Sequence, residues 1–189
     1  MLFTSLRLGA AMLCLAGPLH AAEGTLAMTD YVRDLVHDWM AEPEILSAIA
    51  YSNARHADLT EEEIIALDAR WRGEIGAADA PTIAAVADHE ASQRLRDAIA
   101  QSQGRVTEII VMDRRGLNAA ISGITSDFWQ GDEAKFLETY AAGAGAVHTS
   151  EVEFDESTQT YQLQISMPLT AATGALLGAV TVGLNIDAF

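Results

Sequence analysis

The chain has 189 residues, half of them hydrophobic, with 27 acidic against 11 basic side chains and a formal charge of −16. Such a surface repels nucleic acid and anionic lipid, so neither is an expected partner. The length is enough for one domain with a real core, and a lone cysteine, Cys14, excludes an internal disulfide.

The N-terminal residues set the expected location. Arg7 is followed by the uncharged run Leu8–Ala16, then by Gly17 and Pro18, then by the small residues Ala21 and Ala22. That order of charge, apolar run and small residues is a secretory signal peptide, assigned to residues 1–21. The apolar run falls far short of the ~20 residues that a spanning helix needs. Cleavage removes Cys14 and Arg7, leaving ten basic against 27 acidic side chains, a net of −17. The expectation is a periplasmic or secreted protein with no membrane span after cleavage.

Residues 22–104 read as a helical region of the same domain. Met28, Tyr31, Val32, Leu35, Val36, Trp39 and Met40 recur at the spacing of one helix face. Pro43 suits the first turn of a second helix, with Ile45, Leu46, Ile49 and Ala50 as its apolar stripe. Thr60 and Glu63 form a capping box, with Leu59 placed to staple against Ile64. That helix ends near Arg72, ahead of Gly73 and Gly76. Pro81 opens another, with Ile83, Ala87, Ala91, Leu95 and Ile99 inward and Gly104 closing it.

Residues 105–189 change to the period of strands. Thr107–Met112 is β-branched, Asp113–Gly116 is a hairpin-type turn, and Leu117–Ser122 alternates. A helix is expected over about Asp132–Ala142. Val147–Asp155 reads as a strand, Glu156–Gln159 as a turn and Thr160–Pro168 as a strand. Ala171–Gly174 is a further turn, and Ala175–Ile186 the last strand. Connections this short predict an antiparallel sheet with helices on one face, an α+β fold.

Successive strand residues point to opposite faces. One set is bulky: Leu117, Ala119 and Ile121; Tyr161, Leu163, Ile165 and Met167; Val180, Val182, Leu184 and Ile186. It is expected against the N-terminal helices. The other set is small or polar: Asn118, Ala120 and Ser122; Gln162, Gln164 and Ser166; Ala179, Thr181 and Gly183. These nine positions carry no charge, although a solvated face of so acidic a protein should. Neutral amides and hydroxyls suit a semi-enclosed pocket instead.

The block Thr125-Ser-Asp-Phe-Trp-Gln-Gly-Asp-Glu-Ala-Lys-Phe136 has two readings. In one, Ser126 or Asp127 caps a turn, Asp132 and Glu133 favour a helix N-terminus, and Phe128 and Trp129 plug the core. In the other, Trp129 is a flat wall for a ligand, with Asp127, Gln130 and Lys135 as polar anchors. The candidate ligand-binding set is Asn118, Asp127, Trp129, Gln130, Lys135, Gln164, Ser166 and Thr181.

Other chemistry has no support in the sequence. His37, His56, His89 and His148 do not pair at metal-ligand spacing. Asp127, Asp132 and Glu133 lack a calcium loop around them. Neither a Gly-x-Ser-x-Gly elbow nor a phosphate-binding Gly-Lys-Ser/Thr loop occurs. No metal, cofactor or catalytic residue is expected, and the chain does not read as an enzyme.

The run Glu108-Ile-Ile-Val-Met-Asp-Arg-Arg-Gly116, the Asn118-Ala-Ala that follows, and the Thr125–Lys135 block together resemble the PDC sensor branch of the Cache superfamily, in a stand-alone exported form. The Phe154–Thr158 turn, Tyr161 and Gly174–Gly183 fit the same pattern, and the similarity covers about residues 80–187. The resemblance implies a PAS-like five-stranded sheet, a long N-terminal helix and a pocket under the strand–helix connection. It also implies a small organic ligand: an amino acid, an amine or an organic acid. Sensor kinases and chemoreceptors of this kind carry flanking membrane helices and output domains, which are not seen in this chain. The expectation is therefore a periplasmic small-molecule sensor module that signals through a membrane receptor, or a soluble binding protein. Sparse basic residues in the sheet half tilt the ligand toward a neutral or cationic one, boxed by Trp129 and nearby carboxylates. The alternative is a ligand-free docking module.

Overall fold

The computed structural model describes residues 18–155 and 159–189. The signal-peptide segment before Pro18, and residues 156–158 of the expected turn, lie outside the described residues. Five helices come first: α1 (Pro18–Trp39), α2 (Pro43–Arg55), α3 (Glu61–Glu74), α4 (Pro81–Ala87) and α5 (Glu90–Gln101). Strands β1 (Val106–Met112) and β2 (Asn118–Ile121) follow, then the single turn α6 (Ala134–Leu137). Strands β3 (His148–Thr149), β4 (Glu153–Asp155), β5 (Thr160–Thr170) and β6 (Leu176–Asn185) complete the sheet.

Local chemistry places several boundaries. The capping box at α3 is present: Thr60 Oγ1 accepts from the Glu63 N–H at 3.3 Å, and Glu63 Oε2 accepts from the Thr60 N–H at 2.8 Å. Thr60→Ala is expected to cost about 1 kcal/mol in urea unfolding, by freeing one helix N–H. The helix expected from Pro81 is two helices. His89 turns the chain extended, and its Nδ1 accepts the Ala91 N–H at 3.1 Å to start α5. The helix expected over Asp132–Ala142 keeps one α-helical turn. The strand expected over Val147–Asp155 is split. Ser150 takes the place of a ladder residue, its Oγ accepting the Gln164 N–H while its own N–H donates to Gln164 O, both at 2.9 Å.

The sheet is antiparallel throughout, in the order β2-β1-β6-β5-β3, with β4 also on β5. Helices α1, α2 and α5 cover one face. Val32, Trp39, Ile45, Ile49 and Leu95 meet Ile109, Val111, Leu163, Ile165, Met167, Val180, Val182 and Leu184 there. A second cluster joins Ile64 and Trp71 of α3 and Val86 of α4 to Ile110, Leu117, Ile121, Phe128 and Phe136.

The expected faces need correction on β2. Ile121 pairs with Ile110, which pairs with Thr181, so Ile121 belongs to the second face. Ala120 pairs with Val111 and packs under the helices. Tyr161, also assigned to the helix side, is exposed and lies against Phe154 with ring centroids 5.1 Å apart. No helix among the described residues is long and apolar enough to cross a membrane.

Candidate ligand-binding site

The site rests on two anchors between the helices and the sheet. The first is Asp113, fully buried at the β1–β2 turn. Its Oδ1 accepts the N–H groups of Arg115 and Leu117 at 2.8 and 3.0 Å. Its Oδ2 accepts from Ser52 Oγ at 2.8 Å and from His56 Nδ1 at 2.7 Å. One carboxylate thus closes the turn and ties it to α2.

The second anchor fixes the Thr125–Lys135 block. Asp68 Oδ1 accepts the N–H groups of Phe128 and Trp129 at 2.8 and 3.1 Å. Trp71 Nε1 donates to Thr125 O at 2.8 Å, and its ring stacks on Phe128 at 5.1 Å. Trp129 Nε1 donates to Arg115 O at 2.8 Å. The block then passes so close to the β1–β2 turn that a Cβ on Gly131 would strike the Trp129 indole. A Cβ on Gly116, which has φ +78°, would strike the Gly131 backbone. Only glycine allows that approach.

With the block fixed, α6 is held over the second face of the sheet. Phe136 and Ile121 fill the β2 end of that face. The β5 end is polar. Register places Glu108, Gly183 and Gln164 in one row across β1, β6 and β5, with Ile110, Thr181 and Ser166 in the next. The uncharged face thus gains one carboxylate from β1, which the reading of the other three strands left out. Gln164 Nε2 donates to Glu108 Oε2 at 3.3 Å. Burial pushes the Glu108 carboxyl above the ordinary carboxylate range, against the pull of Lys135 and the Gln164 hydrogen bond, and Glu133 adds to the rise.

An open cavity of about 550 Å³ adjoins this row, walled by Glu133, Lys135, Glu151, Glu153, Gln162 and Gln164. Among the described residues, Lys135 is its one basic group. Lys135 Nζ sits 3.1 Å from Glu133 Oε2 and donates to Gln130 Oε1 at 3.2 Å.

The sequence-expected residues therefore divide. Lys135 and Gln164 line the sheet-face cavity. Gln130 is buried behind Lys135, with its Nε2 on Asp127 O at 2.9 Å. Ser166 and Thr181 are fully buried and bonded to each other at 2.8 Å. Asp127 pairs with Arg72 Nε at 2.9 Å. Trp129 packs on the β1–β2 turn, and Asn118 lines a separate cavity on the far side of β2. A closed pocket shared by Trp129, Asn118 and Gln164 is not what forms.

Sequence reasoning missed Glu108, Asp68 and the pairing of Asp113 with His56. Glu108 was legible as the one charge in a β-branched run. Nothing local marks a helix aspartate that bonds a loop 60 residues away. Among the described residues, no group of three His, Cys, Asp or Glu side chains could hold a metal ion.

With β3 and β4 taken as one interrupted strand, the order is that of a five-stranded PAS-like α+β module with α1, α2 and α5 over one face and a cavity at the β5 end of the other. The solved structures that the chain resembles are PDC/Cache-type sensor domains of chemoreceptors and histidine kinases. One is the ligand-binding domain of the Pseudomonas aeruginosa amino acid chemoreceptor PctC, in complex with GABA. It is 14% identical, with TM-score 0.42, covering 85% of this chain and 62% of that one. Another is the sensor domain of the V. cholerae histidine kinase DctB, at 15% identity and TM-score 0.36, covering 86% and 58%. A third is the sensory domain of the Campylobacter jejuni chemoreceptor Tlp3 with isoleucine bound, at 10% identity and TM-score 0.38, covering 90% and 64%. The chain thus spans about three-fifths of the length of these structures. No protein-family model and no curated protein matches it.

Proposed function

We propose that this chain is an extracytoplasmic sensor module that binds a small amine or amino acid in the sheet-face cavity. One observation carries the reading: Glu108, a carboxylate that burial disfavours as an anion, stands beside a cavity whose other charged groups, among the described residues, are three glutamates and one lysine. An ammonium group placed there meets carboxylates on two walls and restores the charged form of Glu108. Lys135 is the counterpart for a carboxylate, so a zwitterion has a partner for each end. The neutral amides of Gln162 and Gln164 can donate or accept without adding charge.

The signal-peptide pattern at residues 1–21 supports export, and a membrane receptor is the partner through which such a module would report. The test is thermal unfolding against amines, amino acids, organic acids and divalent cations. A cationic or zwitterionic ligand at about 100 times its Kd adds about 2.7 kcal/mol, a rise of roughly 5–10 °C at this size. The shift should vanish in a folded Gln164→Ala variant. A response to organic acids alone, or one that survives Gln164→Ala, would remove the reading. Silence across the library, with self-association on concentration, would favour the docking module instead.

A further inference from the structure

A second cavity, of about 190 Å³, lies between α2, α3, α4 and the edge strand β2. Among the described residues, none lines both cavities. Its interior is mostly apolar, with Ala48, Leu67, Val86 and Phe128 on the walls. Polar side chains interrupt those walls, Ser52, Thr82 and His89 among them, and two of the buried ones, Asn118 and His56, bear on what the cavity takes.

Asn118 is 1% exposed. Its Nδ2 donates to Thr125 Oγ1 at 2.8 Å and to Asp127 O at 3.0 Å. A carbonyl acceptor fixes which end of the amide is nitrogen, so the other end is an oxygen that needs a donor. That Oδ1 is buried and has no hydrogen-bond partner among the described residues. Turning the amide to find one would break two bonds. His56 is the second group, with Nδ1 committed to Asp113 and no partner for Nε2 among the described residues. The mouth carries Arg55 and Arg70, both exposed. Glu74, bonded to Thr82 of the lining and coupled to Arg70, offsets one of them, so these groups leave a single net positive charge at the opening of a chain of charge −16.

We infer that this cavity is a second binding site, for a small organic monoanion that carries a hydroxyl or N–H donor on an apolar body. The donor satisfies Asn118 Oδ1, the body fills the space against Leu67, Val86 and Phe128, and the anionic end faces Arg55 and Arg70. The first cavity selects cationic nitrogen, and this one selects the opposite charge. A buried acceptor left without a donor loses the hydrogen bond it would make to water, so a ligand that lacks the donor is rejected.

The probes are 4-hydroxybenzoate and benzoate, which differ by that one hydroxyl, titrated calorimetrically into the protein and into two variants. Ala85→Phe fills the mouth from an exposed position on α4 and leaves the core packing alone. Lys135→Ala removes a basic group of the sheet-face cavity and the hydrogen bond to Gln130 Oε1, and touches no residue that lines the second cavity. 4-Hydroxybenzoate should bind at least about tenfold more tightly than benzoate. Ala85→Phe should abolish that binding and Lys135→Ala should leave it unchanged, which separates this site from the proposed sensor cavity. The inference is overturned if 4-hydroxybenzoate does not bind up to about 5 mM. It is equally overturned if the hydroxyl makes no difference, or if Lys135→Ala rather than Ala85→Phe removes the binding.

Discussion

Replacing Asp113 with alanine is expected to cost about 3–5 kcal/mol of folding stability. Asp113 is fully buried and accepts four hydrogen bonds: two from the turn backbone, one from Ser52 and one from His56. Alanine leaves the Arg115 and Leu117 N–H groups with no acceptor, and leaves Ser52 Oγ and His56 Nδ1, 3.2 Å apart, only each other. Unpaired buried donors each carry a desolvation cost, and His56, itself 5% exposed, loses the group that fixes its ring. At this chain length the loss corresponds to a fall in Tm of roughly 10 °C or more. Urea unfolding at neutral pH measures it directly. Asp113→Ala and His56→Ala should be strongly non-additive, because the two side chains share one hydrogen bond. Additive losses, or a cost below about 1 kcal/mol for Asp113→Ala, would mean that the turn is held to α2 by packing alone.

Glu108→Gln is expected to act in opposite directions on stability and on ligand affinity. The folded-state pKa of Glu108 is raised, so the folded chain holds this proton more tightly than the unfolded chain does. Stability is then full at acid pH. It falls as pH rises from the unfolded value near 4.5 through the folded pKa, and the penalty stays constant above that. Glutamine removes the titration and keeps the shape. The variant should match wild type at acid pH and be the more stable of the two at neutral pH. Taking the difference between the two proteins cancels the other carboxylates, including Glu74. Burial opposes the ionisation of Glu74, but its bonds from Thr82 and Ile83 outweigh that and lower its pKa. The groups that face Glu108 are Lys135 on α6, Glu133 at its N-cap and Gln164 on β5.

Affinity for an ammonium ligand should move the other way. Loss of a charge-assisted hydrogen bond weakens binding by roughly 10–100-fold. In wild type, binding should tighten as pH rises through the Glu108 pKa, because the carboxylate must be ionised to pair with the cation. That dependence should be absent in the variant. Equal affinity of the two proteins for an amine that binds would place the cation elsewhere.

Much of the architecture was readable from local patterns. The α3 capping box, the strands of the β5–β6 hairpin and the β1–β2 turn all stand where side-chain type and spacing put them. Each depends on interactions within about four residues, or on a period that one strand displays by itself. The errors arose where the deciding partner is distant. The break between α4 and α5 is made by His89, whose ring serves as a cap, a role its type does not announce. The faces of Ala120 and Ile121 were exchanged because both sides of β2 are covered, so bulk no longer marks the inner one. Register with β1, including the shift between Val111 and Met112, decides the face instead.

The candidate site divides along the same line. Sequence determined that the chain is acidic, α+β, and carries an uncharged stripe on its late strands beside an aromatic, acid-rich block. It could not say that Asp68 and Trp71 clamp that block by its backbone, nor that Trp129 is spent on the β1–β2 turn. It could not place Glu108 in the same row as Gln164, or Asn118 on the far side of β2. Residue type fixes what a side chain can bond. Which partner it meets depends on strand register and helix docking, and those minimise the energy of the whole core rather than of any segment.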